Sequence, residues 1–238
     1  MKKAILPMVI LLVAASLMAL ESAPSDVVGF VKVPCGVGFT PFALPFTYVD
    51  GTGASSMLLQ DVVGPYMTGG MAFNADKVWD ITSAETSYKT LAGTFSGFQA
   101  FNYTHAYYME NKHSAFDLYL TGKVESEILD FGEMAMGFNP VGIKEAGEVS
   151  LNDIDILSAG FTGGMAFNSD KIWDMTAAQT SYYNTTTSAW VGFTTLTPGH
   201  AYYVEVKNTP FTWVYDPMSR DRGDATFETH NVNNSKRR

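Results

Sequence analysis

The chain has 238 residues, of which 46% are hydrophobic and 16% are charged, and its formal net charge is −9. The hydrophobic fraction is sufficient for a buried core, and the length fits one large domain or two domains of ordinary size. Nucleic acids and anionic lipid surfaces attract basic proteins, so the acidic balance argues against both as partners.

Residues 1–22 have the pattern of a secretory signal peptide. Lys2 and Lys3 form a basic start, residues 4–20 are uncharged and apolar, and small residues follow. An apolar stretch of this length is also at the short limit for a membrane-spanning helix, so a retained anchor stays open as an alternative. We expect a cleaved signal, no membrane contact afterwards, and a protein that is secreted or held in the cell envelope, in the periplasm or outside the cell.

Cys35 is the only cysteine of the chain, which rules out an intrachain disulfide. It stands in a Pro-Cys-Gly turn, and no histidine is close to it in the sequence. A reactive thiol needs a neighbouring base or a positive charge, so we expect Cys35 to have no catalytic role.

One 21-residue stretch occurs twice. Residues 68–88 and residues 162–182 differ at five aligned positions, and both begin with TGGMAFN. Further matches on both sides keep a spacing of about 95 residues, which is a usual size for a small domain. The sequence therefore predicts a signal peptide at 1–22, a first repeat at 27–120, a second repeat at 121–216 and a disordered polar tail at 217–238.

Each repeat contains five to seven short alternating segments separated by turn residues, which predicts a mainly β fold of the sandwich or barrel type. In one segment Tyr107 and Met109 share a face, and Tyr108 and Glu110 share the opposite face. Almost no linker separates the repeats, which favours two units packed together with pseudo-twofold symmetry.

One short helix is predicted in each repeat. The first covers residues 56–63, and the second follows Ser150, which has Asp153 at the spacing of a capping box. Leu151, Ile154 and Leu157 then fall on one helical face, and Gly160 ends the helix.

The duplicated stretch contains an alternating strand with a tryptophan at its centre. Trp79 is followed two places later by Ile81, and Trp173 is followed in the same way by Met175. Large aromatic side chains dominate protein cores, so we expect both tryptophans to face the core.

A metal site is the first functional hypothesis for the duplicated stretch. Asn74, Asp76, Asn168 and Asp170 supply hard oxygen ligands, and calcium is the one metal that this donor set would favour outside the cell. The stretch lacks the dense Asp/Asn run and closing Glu of a calcium loop. We therefore expect side chains that stabilise turns, with calcium as the alternative and no other cofactor.

Binding of carbohydrate by surface aromatic residues is the second hypothesis. Tyr108 and Tyr203 are the strongest candidates because each shares a strand face with a glutamate, and Trp190 is a further candidate. The TGGMAFN loop is identical in both repeats, and no packing pattern explains that identity. Its candidate ligand-binding residues are Thr68, Gly69, Gly70, Thr162, Gly163 and Gly164.

An acid–base pair is the third hypothesis. His105 with Glu110 and His200 with Glu205 have a spacing that points the side chains to opposite faces of one strand. The chain has no nucleophile elbow, zinc-protease, P-loop or dinucleotide motif. A pair of carboxylates that meets only in space stays open, but we expect a protein without enzymatic activity.

Three motifs resemble a known group of proteins. These are DKVWD and DKIWD, the segments FSGF and WVGF, and PGHAYY. They are similar to uncharacterised secreted proteins of environmental bacteria, with paired β repeats that carry an Asp-x-Ile-x-x-Trp strand and a Pro-Gly-x-x-Tyr-Trp strand. The first repeat departs from this pattern, because Tyr103-Thr104 stands where the second repeat has Pro198-Gly199. The resemblance implies a secreted β-repeat protein and no particular activity.

These observations predict an exported, non-enzymatic β-repeat protein with a structural or adhesive role at the cell surface or envelope. Its expected partners are other copies of itself, joined through strand edges, or a glycan outside the cell. A carbohydrate-binding module is the first alternative function. A secreted hydrolase with an unrecognised pair of carboxylates is the second.

Overall fold

The computed structural model describes residues 28–49, 56–123 and 127–217. The described residues form 17 strands and two four-residue helices, which confirms the predicted mainly β class. None of the helices in this part of the chain has the length and apolar character needed to span a bilayer. The predicted signal peptide and residues 218–238 of the predicted tail lie outside the described residues.

The first half of the chain contains a five-stranded antiparallel sheet in the order β2-β7-β4-β5-β6 and a three-stranded sheet in the order β1-β8-β3. Its elements are β1 (Val28–Cys35), β2 (Gly38–Phe42), β3 (Thr47–Tyr48), α1 (Leu59–Val62), β4 (Lys77–Asp80), β5 (Glu85–Lys89), β6 (Phe95–Ser96), β7 (Tyr107–Asn111) and β8 (Phe116–Lys123).

The second half has a five-stranded antiparallel sheet with the matching order β10-β16-β12-β13-β14, and two strand pairs, β9-β17 and β11-β15. Its elements are β9 (Leu129–Met134), β10 (Gly137–Gly142), β11 (Val149–Ser150), α2 (Ile156–Ala159), β12 (Lys171–Asp174), β13 (Gln179–Asn184), β14 (Ala189–Val191), β15 (Thr195–Leu196), β16 (Ala201–Val206) and β17 (Phe211–Tyr215).

Each half has its own hydrophobic core. The inner face of each five-stranded sheet packs against a long strand pair, β1–β8 in the first half and β9–β17 in the second, and against a short helix. Alternation along the strands supplies the apolar residues of this face. The first core includes Phe42, Val78, Tyr107 and Met109 from the sheet and Leu118 from β8. The second includes Val141, Ile172, Tyr202 and Val204 from the sheet and Trp213 from β17.

The second helix does not use the predicted capping box. Ser150 pairs with Thr195 in the β11–β15 ladder, so the helix begins only at Ile156. Asp155 precedes it with φ of 55° and makes no side-chain capping bond. The backbone pairing of Ser150 therefore overrides its local capping preference. The first helix is also shorter than predicted, and spans Leu59–Val62.

The two halves contact each other through reciprocal hydrogen bonds. Thr82 Oγ1 donates to the carbonyl of Pro140 at 2.9 Å, and Thr176 Oγ1 donates to the carbonyl of Pro41 at 3.3 Å. Each threonine follows the tryptophan strand of one half, and each proline lies on the edge strand β2 or β10 of the other. A twofold rotation between the halves would place each of these two hydrogen bonds on the other.

A buried lysine strengthens this contact between the halves. Lys144 follows β10, and its side chain is 1% exposed. Its ammonium lies 4.0 Å from the centroid of the Tyr103 ring in the other half, and 3.0 Å from a carboxylate oxygen of Glu127. Without these partners the buried ammonium would be uncompensated, which would cost free energy of folding. Because Tyr103 belongs to the other half, its contact with Lys144 favours the observed packing of the two halves.

Candidate functional site: an aromatic groove between the halves

The tryptophan strands turn their tryptophans away from the core. Val78 and Asp80 are 0% and 6% exposed, whereas Trp79 lies half-buried on the opposite, outer face. The same pattern occurs in β12, where Ile172 and Asp174 are buried. The prediction that Trp79 and Trp173 face the core was therefore wrong. Asp80 takes a core position because its carboxylate accepts the backbone N–H groups of the following turn.

Three aromatic rings gather on the outer face of the first five-stranded sheet. Phe39 of β2 lies 6.4 Å from the Trp79 ring of β4 and 5.9 Å from the Tyr108 ring of β7, with an edge-on approach to Tyr108. Strand pairing brings them together, since Trp79 stands opposite Tyr108 in the β4–β7 ladder. Phe39 is 61% exposed, so this cluster opens to solvent.

The second half repeats the cluster with closely similar geometry. Phe138 lies 6.2 Å from the Trp173 ring and 5.7 Å from the Tyr203 ring, and it is 59% exposed. Tyr203 and Tyr108 of the first half line the same cleft. Burial, together with the charge and hydrogen bond of Tyr108, raises the pKa of Tyr203. The two tyrosines therefore join the clusters between the halves.

The joined clusters line two adjoining clefts with volumes of about 700 and 620 Å³. Ile81 and Met175, at equivalent positions of the two halves, line both clefts together with Tyr108. We call this surface the aromatic groove. It comprises Phe39, Pro41, Trp79, Ile81, Tyr108, Phe138, Pro140, Trp173, Asp174, Met175, Ala178 and Tyr203.

Charged side chains flank the groove in the first half. The indole N–H of Trp79 donates to a carboxylate oxygen of Glu110 at 2.8 Å. The ammonium of Lys77 lies 5.4 Å from the Trp79 ring centroid, in a cation–π contact. Lys112 approaches Glu110 to 3.2 Å and also donates to the carbonyl of Phe73. One tryptophan is thus held between a carboxylate at its edge and an ammonium over its face.

The second half has the same arrangement. The indole N–H of Trp173 donates to Glu205 at 2.9 Å, and the ammonium of Lys171 lies 5.5 Å from the Trp173 ring centroid. Lys207 approaches Glu205 to 3.5 Å. Each half therefore places one lysine over its tryptophan and a second lysine beside the glutamate that accepts the indole N–H.

Of the predicted ligand-binding aromatic residues, two lie in the groove and one does not. Tyr108 and Tyr203 are partly exposed and line the groove, as the strand alternation indicates. Trp190 is 8% exposed, packs against Phe161 at 5.4 Å and donates its indole N–H to Asn152. Trp190 is a core residue, so its assignment as a surface platform was wrong.

The oxygen atoms proposed as metal ligands hold the TGGMAFN loops together. Asp76 accepts the backbone N–H of Thr68 at 2.6 Å and that of Lys112 at 2.8 Å. Asp170 repeats this with Thr162 at 2.7 Å and Lys207 at 2.7 Å. Within the described residues no group of three His, Cys, Asp or Glu side chains is placed to hold a metal. The hydrogen bonds support the turn-stabilising interpretation of these residues over calcium binding.

The glycines of the same loops are explained by close backbone contacts. A Cβ on Gly69 would lie 2.3 Å from the carbonyl oxygen of Thr90, and a Cβ on Gly70 would lie 2.5 Å from Oδ1 of Asn74. A Cβ on Gly163 would lie 2.9 Å from the side chain of Thr185, and a Cβ on Gly164 would lie 2.7 Å from Oδ1 of Asn168. These contacts give the glycines a structural role that needs no ligand.

Two apolar residues in each loop have no such explanation. Met71 and Phe73 are 59% and 74% exposed, and their counterparts Met165 and Phe167 are 60% and 76% exposed. Hydrogen bonds fix the loop backbone, while these side chains point to solvent. They are therefore presented at the surface in both halves.

The histidines pair with aspartates and not with Glu110 and Glu205, the partners considered in the acid–base hypothesis. His105 Nδ1 lies 2.7 Å from Asp80, and His200 Nδ1 lies 2.7 Å from Asp174. Each histidine lines a small cleft at the contact between the halves. Thr82 lines the same cleft as His105, and its hydroxyl already donates to the carbonyl of Pro140 and accepts the N–H of Ala106. These pairs therefore brace the loops that join the halves.

Cys35 has the character of a core residue. It is 1% exposed, and burial raises the pKa of its thiol to about 11. At neutral pH almost none of it is thiolate, the nucleophilic form.

The sequence patterns indicated Tyr108 and Tyr203 as surface residues and Trp79 and Trp173 as core residues, and did not single out Phe39 or Phe138. Phe39 and Phe138 stand in the matching segments GFTP and GFNP, which is the signal that would have drawn attention to them. Comparison with protein-family models, curated protein sequences and solved structures found no match for this chain. Its function must therefore be argued from the groove itself.

Proposed function

We propose that this chain is an exported, non-enzymatic adhesive protein that binds a polysaccharide along the aromatic groove. The observation that carries the proposal is the pair of open aromatic clusters, Phe39–Trp79–Tyr108 and Phe138–Trp173–Tyr203, that meet between the halves. Sugar rings have apolar C–H faces that stack on aromatic rings and polar edges that need hydrogen-bonding partners.

The polar rim favours a sugar over a purely apolar ligand. Glu110 and Glu205 lie beside the two tryptophans. Two lysines lie within ion-pair distance of Glu110, and Lys207 lies within ion-pair distance of Glu205. A wholly apolar ligand would take these charges out of water and return no hydrogen bonds, which costs free energy. A ligand with hydroxyl groups along its edges compensates for that loss while it stacks on the rings.

The doubled arrangement favours a polymer. Two nearly identical binding surfaces suit a ligand in which the same chemical unit recurs, and joining two weak contacts on one chain raises the overall affinity. The non-enzymatic part of the proposal rests on the histidine and carboxylate groups around the groove, whose hydrogen bonds within the protein give each a structural role.

The test is polysaccharide binding by the chain and by a Trp79→Ala/Trp173→Ala double variant. We expect binding on a glycan array and in isothermal titration calorimetry, with at least about a tenfold weaker affinity in the double variant because two stacking contacts are lost. Tyr119→Ala is the matched control. Tyr119 is an exposed aromatic residue on β8, where it stacks on Phe30 outside the groove. Equal binding by the double variant and the control would overturn the proposal.

Structural assembly is the second candidate, and the exposed tips of the TGGMAFN loops favour it. Apolar tips that match surface pockets on the same molecule are able to link copies into open chains. Sedimentation velocity over a range of concentrations tests this directly. Association that a Phe73→Ser/Phe167→Ser variant abolishes would support assembly, and a monomer at every concentration would exclude it.

A further inference from the structure

The reciprocal contacts between the halves include two backbone hydrogen bonds. The N–H of Ala43 donates to the carbonyl of Gly199 at 2.9 Å, and the N–H of Gly142 donates to the carbonyl of Thr104 at 2.9 Å. Ala43 and Gly142 stand at matching positions after the GFTP and GFNP segments, and Gly199 and Thr104 each precede a histidine. Together with the two threonine–proline hydrogen bonds, they define one approximate twofold axis between the halves.

This axis passes through the aromatic groove. Ile81 and Met175 are equivalent residues of the two halves, and both of them line both clefts. The aromatic cluster of the first half lines one cleft, and the cluster of the second half lines the adjoining cleft. A rotation that exchanges two clusters on one continuous surface has its axis perpendicular to that surface. The clusters are therefore related by a half-turn in the plane of the groove.

The charge within the groove is already compensated by the protein. Among the residues that line the groove, Asp174 is the one with a carboxylate, and none carries an ammonium. The carboxylate of Asp174 accepts the N–H groups of Thr176 and Ala177 and lies 2.7 Å from His200 Nδ1. A charged polymer would lose water in the groove and gain no unpaired counter-charge from its lining, which costs free energy. The lining therefore favours an uncharged polymer.

The half-turn between the clusters restricts the geometry of that polymer. A polysaccharide chain has a direction, from its non-reducing end to its reducing end, and the half-turn reverses it. One chain across the groove therefore meets the two clusters in opposite orientations. Both clusters make the same stacking contacts only with a ring that looks nearly the same after a half-turn in its own plane.

A pyranose ring with two equatorial linkages at opposite ends meets this condition. Both linkages then lie close to the plane of the ring, so the chain stays flat and leaves the ring in the same way at each end. An axial linkage at either end breaks the equivalence, because the chain then leaves the plane at one end only. Stacking on aromatic rings also needs a flat apolar face, which the diequatorial chain presents along its whole length.

We infer that the ligand of the groove is an uncharged β-1,4-linked pyranose chain with equatorial linkages, of the glucan or xylan type, and that the groove binds it in either direction. Trp79 and Trp173 then stack on rings of one chain that run in opposite senses relative to each cluster. This inference rests on the proposed function, because it specifies which polysaccharide binds at the same site.

The first experiment compares uncharged hexasaccharides by isothermal titration calorimetry. Cellohexaose and xylohexaose have two equatorial linkages on each inner ring, whereas maltohexaose and β-1,4-linked galactohexaose have one axial linkage. We expect at least one of the first two to bind about tenfold or more tightly than both of the others. Trp79→Ala and Trp173→Ala should weaken its binding by the same factor, because the two clusters are equivalent. Tyr119→Ala, outside the groove, should leave binding unchanged.

The second experiment measures the direction of the bound chain. The tighter hexasaccharide carries a nitroxide at its reducing end, and the indole N–H signals of Trp79 and Trp173 are followed by NMR in the isotope-labelled protein. The two alanine variants assign these signals. We expect the nitroxide to broaden both signals, since the reducing end lies beside either cluster in different complexes. The same sugar with its nitroxide chemically reduced is the control.

The outcomes separate this inference from the proposed function. Broadening of one indole signal alone would overturn binding in either direction. If maltohexaose or galactohexaose binds as tightly as the diequatorial sugars and requires both tryptophans, polysaccharide binding stands and the inference fails. If no oligosaccharide or polysaccharide binds, both fail. Circular dichroism and thermal melting of every variant exclude misfolding as the cause of weaker binding.

Discussion

Tyr107 and Tyr108 are neighbours in the sequence, but the two faces of one sheet give them opposite surroundings. Tyr107 is 0% exposed, and its hydroxyl accepts the backbone N–H of Asn102 at 2.7 Å. Tyr108 lies on the outer face and lines the groove. Tyr202 and Tyr203 repeat the contrast in the second half. The inner face holds the fold together, and the outer face presents aromatic surface that the fold does not need.

The largest expected loss of stability comes from replacing a tyrosine of the inner face. Tyr107 packs 4.8 Å from the Phe101 ring and 5.7 Å from the Phe42 ring, so Tyr107→Ala leaves a cavity in the first core. We expect the free energy of unfolding to fall by about 3–5 kcal/mol. Tyr108→Ala should lower it by less than about 1 kcal/mol, because its ring already contacts solvent. Urea denaturation followed by tryptophan fluorescence measures both.

Tyr107→Phe is the variant to measure if Tyr107→Ala does not fold. It keeps the ring and leaves the N–H of Asn102 without its acceptor, which should cost about 1–3 kcal/mol. Equal losses of stability from Tyr107→Phe and Tyr108→Phe would show that the two faces do not differ in the way described.

This contrast marks what the sequence can predict. Alternation correctly places Tyr107 and Met109 opposite Tyr108 and Glu110. Alternation alone does not say which face is covered when both faces carry large apolar residues, and for Trp79 the prediction chose the wrong one. The covering element is β1–β8, whose position depends on the tertiary fold.

The groove depends still more on tertiary structure. Its first cluster takes Phe39 from β2 and Trp79 from β4, which are 40 residues apart, and its two clusters meet only because the halves pack together. The His105–Asp80 pair arises in the same way, from the pairing of β4 with β7. By contrast, the side chain of Asn168 accepts the backbone N–H of Met165 three residues away, a local turn contact that residue type alone predicts. Asp76 is an intermediate case, because it closes the loop at Thr68 but also accepts the N–H of Lys112, which only the folded chain brings near.

The two faces of the sheet also differ in how their carboxylates contribute to stability. Asp76 lies on the inner side and Glu110 lies on the outer face. Asp76 is 1% exposed and accepts two backbone N–H groups. We expect Asp76→Ala to lower the free energy of unfolding by about 2–3 kcal/mol, as hydrogen bonds to a charged group are lost. Glu110→Ala should cost less, about 1 kcal/mol, because one indole hydrogen bond is lost at a side chain that still contacts solvent. Urea denaturation again gives the values.

Metal removal is the accompanying measurement for Asp76. The oxygen atoms of Asp76 are engaged by Thr68 and Lys112, so neither calcium nor EDTA should change the melting temperature of the unaltered chain. A rise in melting temperature with calcium that Asp76→Ala abolishes would instead assign a metal to this loop.

The smallest expected effect is the acid dependence of stability that Asp80 contributes. Burial, the largest single influence, favours a higher pKa for Asp80, but hydrogen bonds from His105 and Ser83 together with the charge of His105 outweigh it and lower the pKa. A lowered pKa in the folded state means that the stabilisation is complete above the unfolded value of about 4. It is lost as the pH falls through the lower folded value.

Asp80→Asn removes this acid-dependent part of the stability. The free energies of unfolding of the unaltered chain and Asp80→Asn should differ most at pH 7, and the difference should narrow as the pH approaches 3. Glu110→Gln is the outer-face counterpart, and its difference from the unaltered chain should change less over the same range because Glu110 is nearer to solvent. A constant difference for Asp80→Asn would mean that the carboxylate stabilises the turn through geometry alone. In that case His105 would contribute nothing to the inner face through its charge.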